Sequence, residues 1–183
     1  MTDLLRLFVQ IALLRRGPQD LPASAVLLAV AAAAYFGVNF IVYSALPGMP
    51  APWRKHLIAD VLYTLVSLGL LMQLAGKPER YLQTATAVFG YLIVLSPLTI
   101  CSGWLIQRFA NEPSLQFPVA LLGLALFVWM IAVGQQVLKA ALEWSTLASV
   151  VLVIVWILAG QLLILFMFPV DPATAGAAAP SPA

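Results

Sequence analysis

Between Gly76 and Gln107 the chain reads GKPERYLQTATAVFGYLIVLSPLTICSGWLIQ, a short charged turn running into a long apolar segment. No other apolar segment of the chain carries so much hydroxyl, amide and glycine. In water this would make an odd core helix. In a bilayer it makes the central helix of a bundle, its polar and small residues turned toward neighbouring helices. Pro97 sits inside the segment and removes one backbone donor, so a kink is expected there, with Ser96 or Thr99 satisfying the freed carbonyl.

Composition carries the same reading to the whole chain. Of 183 residues, 63% are hydrophobic and 9% charged, against roughly a quarter charged in soluble domains. A soluble domain of this length cannot hide so much apolar surface, and runs of about 20 apolar residues mark spanning helices. The expected fold is all-α: a polytopic membrane helix bundle with five transmembrane helices and a short N-terminal amphipathic helix. A net charge of +2, dispersed along the chain, speaks against a nucleic-acid partner. The single cysteine, Cys101, lies within an apolar run, forms no intrachain disulfide, and is expected to be a buried, unreactive thiol.

Residues 1–168 are expected to form one bundle domain. At its start, Asp3, Arg6 and Gln10 share one helical face while Leu4, Leu7, Phe8, Ile11 and Leu14 lie largely on another. That pattern suits a short helix lying in the membrane interface. A cleaved signal peptide fits poorly, because the charged stretch ahead of the apolar region is too long and too acidic. Gly17-Pro18-Gln19-Asp20 ends the helix.

The five spans are expected at about 21–46, 57–75, 81–107, 117–138 and 144–168. In the first, Ala25, Ala29, Ala33 and Gly37 recur every fourth residue as a small-residue ridge suited to close helix contact. Tyr35, Asn39 and Tyr43 form a second such series, with Asn39 expected to hydrogen-bond inside the bundle. Gly90 and Pro97 are the packing positions of the third span. Trp53-Arg54-Lys55-His56 marks an interface, with a ring and cations at headgroup level. Residues 169–183 are rich in Ala, Pro and Ser and are expected to be a disordered tail.

Lysine and arginine give the orientation. Arg6, Arg15, Arg16, Lys77, Arg80 and Lys139 fall on one side of a five-span arrangement, and Arg54, Lys55 and Arg108 on the other. The bias places the N-terminus in the cytoplasm and the C-terminus outside.

Chemistry-bearing residues are sparse. Asp60 is the one acid expected inside the hydrocarbon boundary, where a carboxylate is costly and is by default functional or paired. With His56, Tyr63, Thr64 and Ser67 it forms a polar face on the second span, by three- and four-residue spacing. A His56–Asp60 pair could relay protons or hold a cation; the plainer expectation is a solvated pair with His56 or Arg54 that anchors the helix. One histidine and one cysteine far apart in sequence do not make a metal site. Ser96 and Ser102 have no evident base, and the glycines form no phosphate loop. No cofactor and no catalytic residue are therefore expected.

Leu70 to Pro97, LLMQLAGKPERYLQTATAVFGYLIVLSP, resembles the second and third spans of the Yip1-type membrane proteins. In those, a span ends in small residues and a Gly-Lys turn, followed by an aromatic residue, a Gly-Tyr pair and a later proline. Gly76, Lys77, Tyr81, Gly90, Tyr91 and Pro97 stand in those places here. The resemblance implies five spans, a cytosolic N-terminus and a non-enzymatic scaffold or interaction protein with a membrane-protein or homo-oligomeric partner. The N-terminal segment is too short for the cytosolic domain that eukaryotic members link to small-GTPase partners, so the implied relative is bacterial, in the cytoplasmic membrane. The competing expectation, from another class, is a small transporter or channel subunit that uses the Asp60 face.

Overall fold

A computed structural model describes residues 2–47, 49 and 52–168. The Asp3 side chain and the expected disordered tail lie outside the described residues. Among the described residues the chain forms six α-helices and no strand: α1 Thr2–Ala12, α2 Ala25–Ala45, α3 Trp53–Leu74, α4 Tyr81–Arg108, α5 Pro113–Leu142 and α6 Thr146–Met167. The last five are long and apolar enough to cross a membrane. The protein is an all-α integral membrane bundle.

Local chemistry sets the helix ends. Pro22 disfavours helical backbone at the residue before it, and Leu21 is extended, with ψ at 142°. The first span therefore turns helical later than its apolar run suggests, at Ala25, where the Ser24 hydroxyl accepts from the Leu27 amide at 3.3 Å. Ser145 caps α6 in the same way through the Ala148 amide. Pro113 occupies the first turn of α5, where its missing N–H costs nothing, and α5 therefore begins earlier than the apolar run alone suggests. It also continues through Gln135, Gln136 and Lys139 to Leu142, shortening the expected turn to Glu143–Ser145. Gly76 ends α3 with φ at 69°, while the Lys77 amide reaches back to the Met72 carbonyl at 2.9 Å.

Two sets of contacts place the helix ends. At one end, the turn between α3 and α4 meets the turn between α5 and α6. Lys77 Nζ donates to the Leu142 carbonyl at 3.1 Å, and Arg80 Nη1 donates to the Ala140 and Ala141 carbonyls at 3.2 and 3.0 Å. These cations satisfy carbonyls that the end of α5 leaves unpaired. Glu143, in the left-handed conformation, completes the cluster with ion pairs to Lys77 at 2.5 Å and Arg80 at 2.6 Å. At the other end, Trp104 Nε1 donates to the Pro47 carbonyl at 2.9 Å, and the His56 ring stands 4.7 Å from that of Phe168. The spans therefore alternate in direction between an Arg80 end and a Trp53 end.

α4 is the central helix, as its polarity leads one to expect. Thr84 to Tyr91 are buried without a break, which requires protein on every side of the helix. α1, α2, α3 and α5 supply it. The apolar face of α1 is buried as expected (Phe8, Ile11 and Ala12 lie inside), but against α4 and α5 rather than against lipid. Trp129 Nε1 donates to the Ala12 carbonyl at 2.9 Å, and Gln136 Nε2 to that of Leu14 at 3.2 Å. Gly90 makes this docking possible, since a Cβ added there would fall onto the Phe8 ring.

Two packing expectations need correction. Ala25, Ala29 and Ala33 are exposed, and nothing lies within 4 Å of a Cβ placed on Gly37. The face of α2 turned to the bundle carries Leu28, Ala31, Tyr35 and Asn39 instead. Tyrosine and asparagine hydroxyl and amide groups need partners in the interior, and the alanine ridge needs none, so the polar series faces in. In α4 the helix runs through Pro97. Ser96 donates to Leu92 O at 2.6 Å and Thr99 to Ser96 O at 2.9 Å. Neither hydroxyl reaches the Ile93 carbonyl that Pro97 frees.

Candidate functional site: a polar cavity beside Asp60

The polar stripes of α2 and α3 face one another and leave a cavity of about 240 Å³ between them, α4, α5 and α6. It occupies the half of the bundle toward the Trp53 end. Tyr43, His56 and Ile164, near helix ends, line its outer part; Tyr35, Tyr91 and Trp156, near mid-helix, line its floor. Beyond the floor, toward the Arg80 end, the core is closed by Leu68, Met72, Val88, Val137 and Leu138, each at most 1% exposed.

Asp60 stands in the cavity wall about two turns in from Trp53, roughly 10 Å along the axis. Its partner is not the one that sequence proximity suggests. The Tyr35 hydroxyl donates to Asp60 Oδ2 at 2.7 Å. Among the described residues no ion pair involves Asp60: Arg54 is exposed and lies over the Trp53 ring at 5.2 Å, and Lys55 is exposed. His56 turns its ring toward Phe168, and its Nε2 is buried without a partner. The expected anchoring pair with His56 or Arg54 is absent because Asp60 points across to α2, while residues 54–56 stay with the aromatic cluster at the helix end. That cluster is formed by Phe40, Tyr43 and Trp53, with ring centroids 5.3 and 5.5 Å apart.

The other residues of the expected polar face divide. Tyr63 and Thr64 line the cavity with His56 and Asp60, and Ser67 does not. Tyr63 Oη donates to the Trp156 carbonyl at 2.6 Å, and Trp156 Nε1 donates to Ser67 Oγ at 2.7 Å. These two bonds brace α3 against α6. Gly160 leaves room for the brace, since a Cβ there would stand 2.9 Å from Tyr63 Cε1. Asn39, 1% exposed, contributes to the cavity lining and donates its amide to the Tyr35 carbonyl at 2.8 Å, as expected of a bundle-facing asparagine, but its Oδ1 is buried without a partner among the described residues.

The sequence marks the α3 half of this wall as a polar face, and in the Tyr35-Asn39-Tyr43 series it marks Asn39 as a bundle-facing hydrogen-bonding residue. The four-residue spacing common to both helices was the available signal. Tyr91 shares with Tyr63 and Thr64 the signal of a tyrosine or threonine in spans two and three; Trp156 and Gln161 carry none, being single residues in an apolar span. Cys101, expected to be buried, is half-buried. Among the described residues no three His, Cys, Asp or Glu side chains converge. The site therefore offers one carboxylate and one imidazole set in aromatic rings.

Comparison of the chain with protein families, with curated proteins and with solved structures finds no match.

Proposed function

We propose that the protein is a membrane-embedded solute-binding protein of the transporter or channel-subunit class, non-enzymatic, with the Asp60 face as its binding wall. The observation that carries this reading is the cavity of about 240 Å³ with the Asp60 carboxylate in its wall. A carboxylate at this depth in a bilayer is costly, and groups of this kind mark solute and ion pathways. A bundle that served only as a scaffold would gain stability by filling such a space with side chains. The excess of Lys and Arg at the Arg80 end supports a cytoplasmic N-terminus, here in a bacterial cytoplasmic membrane as the Yip1-type resemblance implies. The cavity then opens outward and is closed toward the cytoplasm.

Thiol labelling tests this. In a Cys101→Ala background, Thr99→Cys places a thiol in the cavity lining and Leu68→Cys places one in the closed half. A membrane-impermeant maleimide added to intact cells should label position 99 and not position 68. Failure of position 99 to react, before and after permeabilisation, would remove the solute site; reaction only after permeabilisation would reverse the orientation.

A second reading, a Yip1-like scaffold, is favoured by the outward-facing ridge of α2, where none of the described residues comes within 4 Å of a Cβ placed on Gly37. Cross-linking through Ala33→Cys in the same background would capture a second copy or a membrane-protein partner if the ridge is a contact.

A further inference from the structure

We infer that the cavity takes a compact organic monocation, an alkylammonium or small quaternary amine, held by Asp60 among tyrosine rings; this rests on the solute-binding reading above. Three independent observations converge on that ligand chemistry.

The first is charge. Among the described residues Asp60 is the one carboxylic acid in the lining, and no lysine or arginine lines the cavity. The nearest cations in sequence, Arg54 and Lys55, are exposed at the Trp53 end. An ionised Asp60 therefore has a hydroxyl partner and no counter-charge, and an occupant of opposite sign supplies one.

The second is hydrogen-bonding capacity. Several donors in the walls are committed: Tyr35 to Asp60, Asn39 to the Tyr35 carbonyl, Tyr63 to the Trp156 carbonyl, and Ser96 and Thr99 to carbonyls of their own helix; the Thr64 hydroxyl and the Gln161 carboxamide, which also line the cavity, make no hydrogen bond among the described residues. Among the described residues Asp60 Oδ1 makes no hydrogen bond, and it is left to accept from an occupant. Tyr43 and Tyr91 hydroxyls and the His56 ring can serve either way. An ionised Asp60 repels an anion, whereas an ammonium meets its free carboxylate oxygen.

The third is the surrounding surface. Tyr35, Tyr43, Tyr63, Tyr91 and Trp156 all contribute to the lining. Electron-rich rings around a carboxylate form the kind of cage that binds alkylated ammonium groups. Size sets the limit: a dry cavity of about 150 Å³ accepts benzene, so 240 Å³ accommodates roughly ten non-hydrogen atoms by the same measure.

Isothermal titration of the full chain in nanodiscs tests the inference, with benzyltrimethylammonium as the probe. Its carbon isostere neopentylbenzene, benzoate and the larger tetraphenylphosphonium serve as comparisons. Saturable binding of benzyltrimethylammonium is expected, at least tenfold tighter than the neutral isostere, with no binding of benzoate or of the larger cation. Asp60→Asn should weaken it at least tenfold with an unchanged circular dichroism spectrum. Should Asp60→Asn fail to fold, Tyr43→Leu, near the outer end of the cavity, should weaken the cation severalfold and leave the isostere unaffected. Equal affinity for cation and isostere, or full affinity in both variants, would overturn the inference. If maleimide labels Thr99→Cys and benzoate or the neutral probe protects it while the cation does not, the solute site stands and the cation assignment falls. An unlabelled Thr99→Cys removes both.

Discussion

The same substitution at two glycines should move stability in opposite directions. Gly90 and Gly37 both lie inside spanning helices, so replacing either with alanine gains helix propensity, about 1 kcal/mol. At Gly37 nothing stands within 4 Å of the added methyl, and that gain is the whole effect. At Gly90 the methyl would lie 2.7 Å from Phe8 Cε1 and 2.9 Å from Cγ, closer than carbon atoms approach. Phe8 is 7% exposed and held with Ile11 and Ala12 against α4, so its ring has little room to withdraw. Overpacking of this sort costs about 1–3 kcal/mol. Gly90→Ala should therefore destabilise by up to about 2 kcal/mol, while Gly37→Ala stabilises by up to about 1 kcal/mol. SDS-induced unfolding in mixed micelles, followed by circular dichroism, measures both. Truncating the ring should restore the missing term: in a Phe8→Ala background, Gly90→Ala should become stabilising. Changes of the same sign at the two glycines, or no rescue by Phe8→Ala, would refute the docking of α1 on α4.

Three further outcomes follow from named contacts. Tyr35→Phe and Asp60→Ala each remove the same hydrogen bond, so their effects should fall short of additive by about 0.6 kcal/mol, the average for bonds between membrane helices; His56→Ala and Asp60→Ala should simply add, and coupling there would restore the His56 pair. Hydrogen bonds from Lys77 and then Arg80, with their charges, hold the Glu143 carboxyl below the usual carboxylate range. A folded-state value below the unfolded one contributes stability that is fully present above the usual range and is lost as pH falls through the folded value, so stability, followed by unfolding between pH 7 and 3, should decrease at the acid end in wild type and less in Glu143→Gln. Ala33→Leu should change the stability of the isolated chain by less than about 0.5 kcal/mol, as a surface substitution does; a large loss, measured by the same micellar unfolding, would show that another helix covers the ridge.

The five spans and the central place of the third were legible because both rest on local chemistry. Runs of apolar residues have to cross or be buried, and a run bearing Thr84, Thr86, Gly90 and Ser96 has to be surrounded by protein. The α1 face carrying Phe8 and Ile11 was legible from its period. Its destination was not, because lipid and protein present the same apolar surface to it. The candidate site was legible by half. Asp60 stood out by its charge, and its neighbours on α3 by their spacing. His56 looked like its partner because it is close in sequence, yet side chains four residues apart on one helix need not turn toward each other.

Sequence alone thus decides which segments cross, what lies at their ends, and which residues are too polar to face lipid, since each follows from solvation free energy residue by residue. The rotation of each helix about its axis is a collective property. α2 carries two candidate inner faces, the alanine ridge and the Tyr35-Asn39-Tyr43 series, and only the assembled bundle chooses between them. That choice sets Tyr35 opposite Asp60 and leaves Asn39 Oδ1 unpartnered. It also opens a cavity to which α2, α3, α4, α5 and α6 all contribute. No single span contains that information, because a cavity is the space that several packed helices fail to fill.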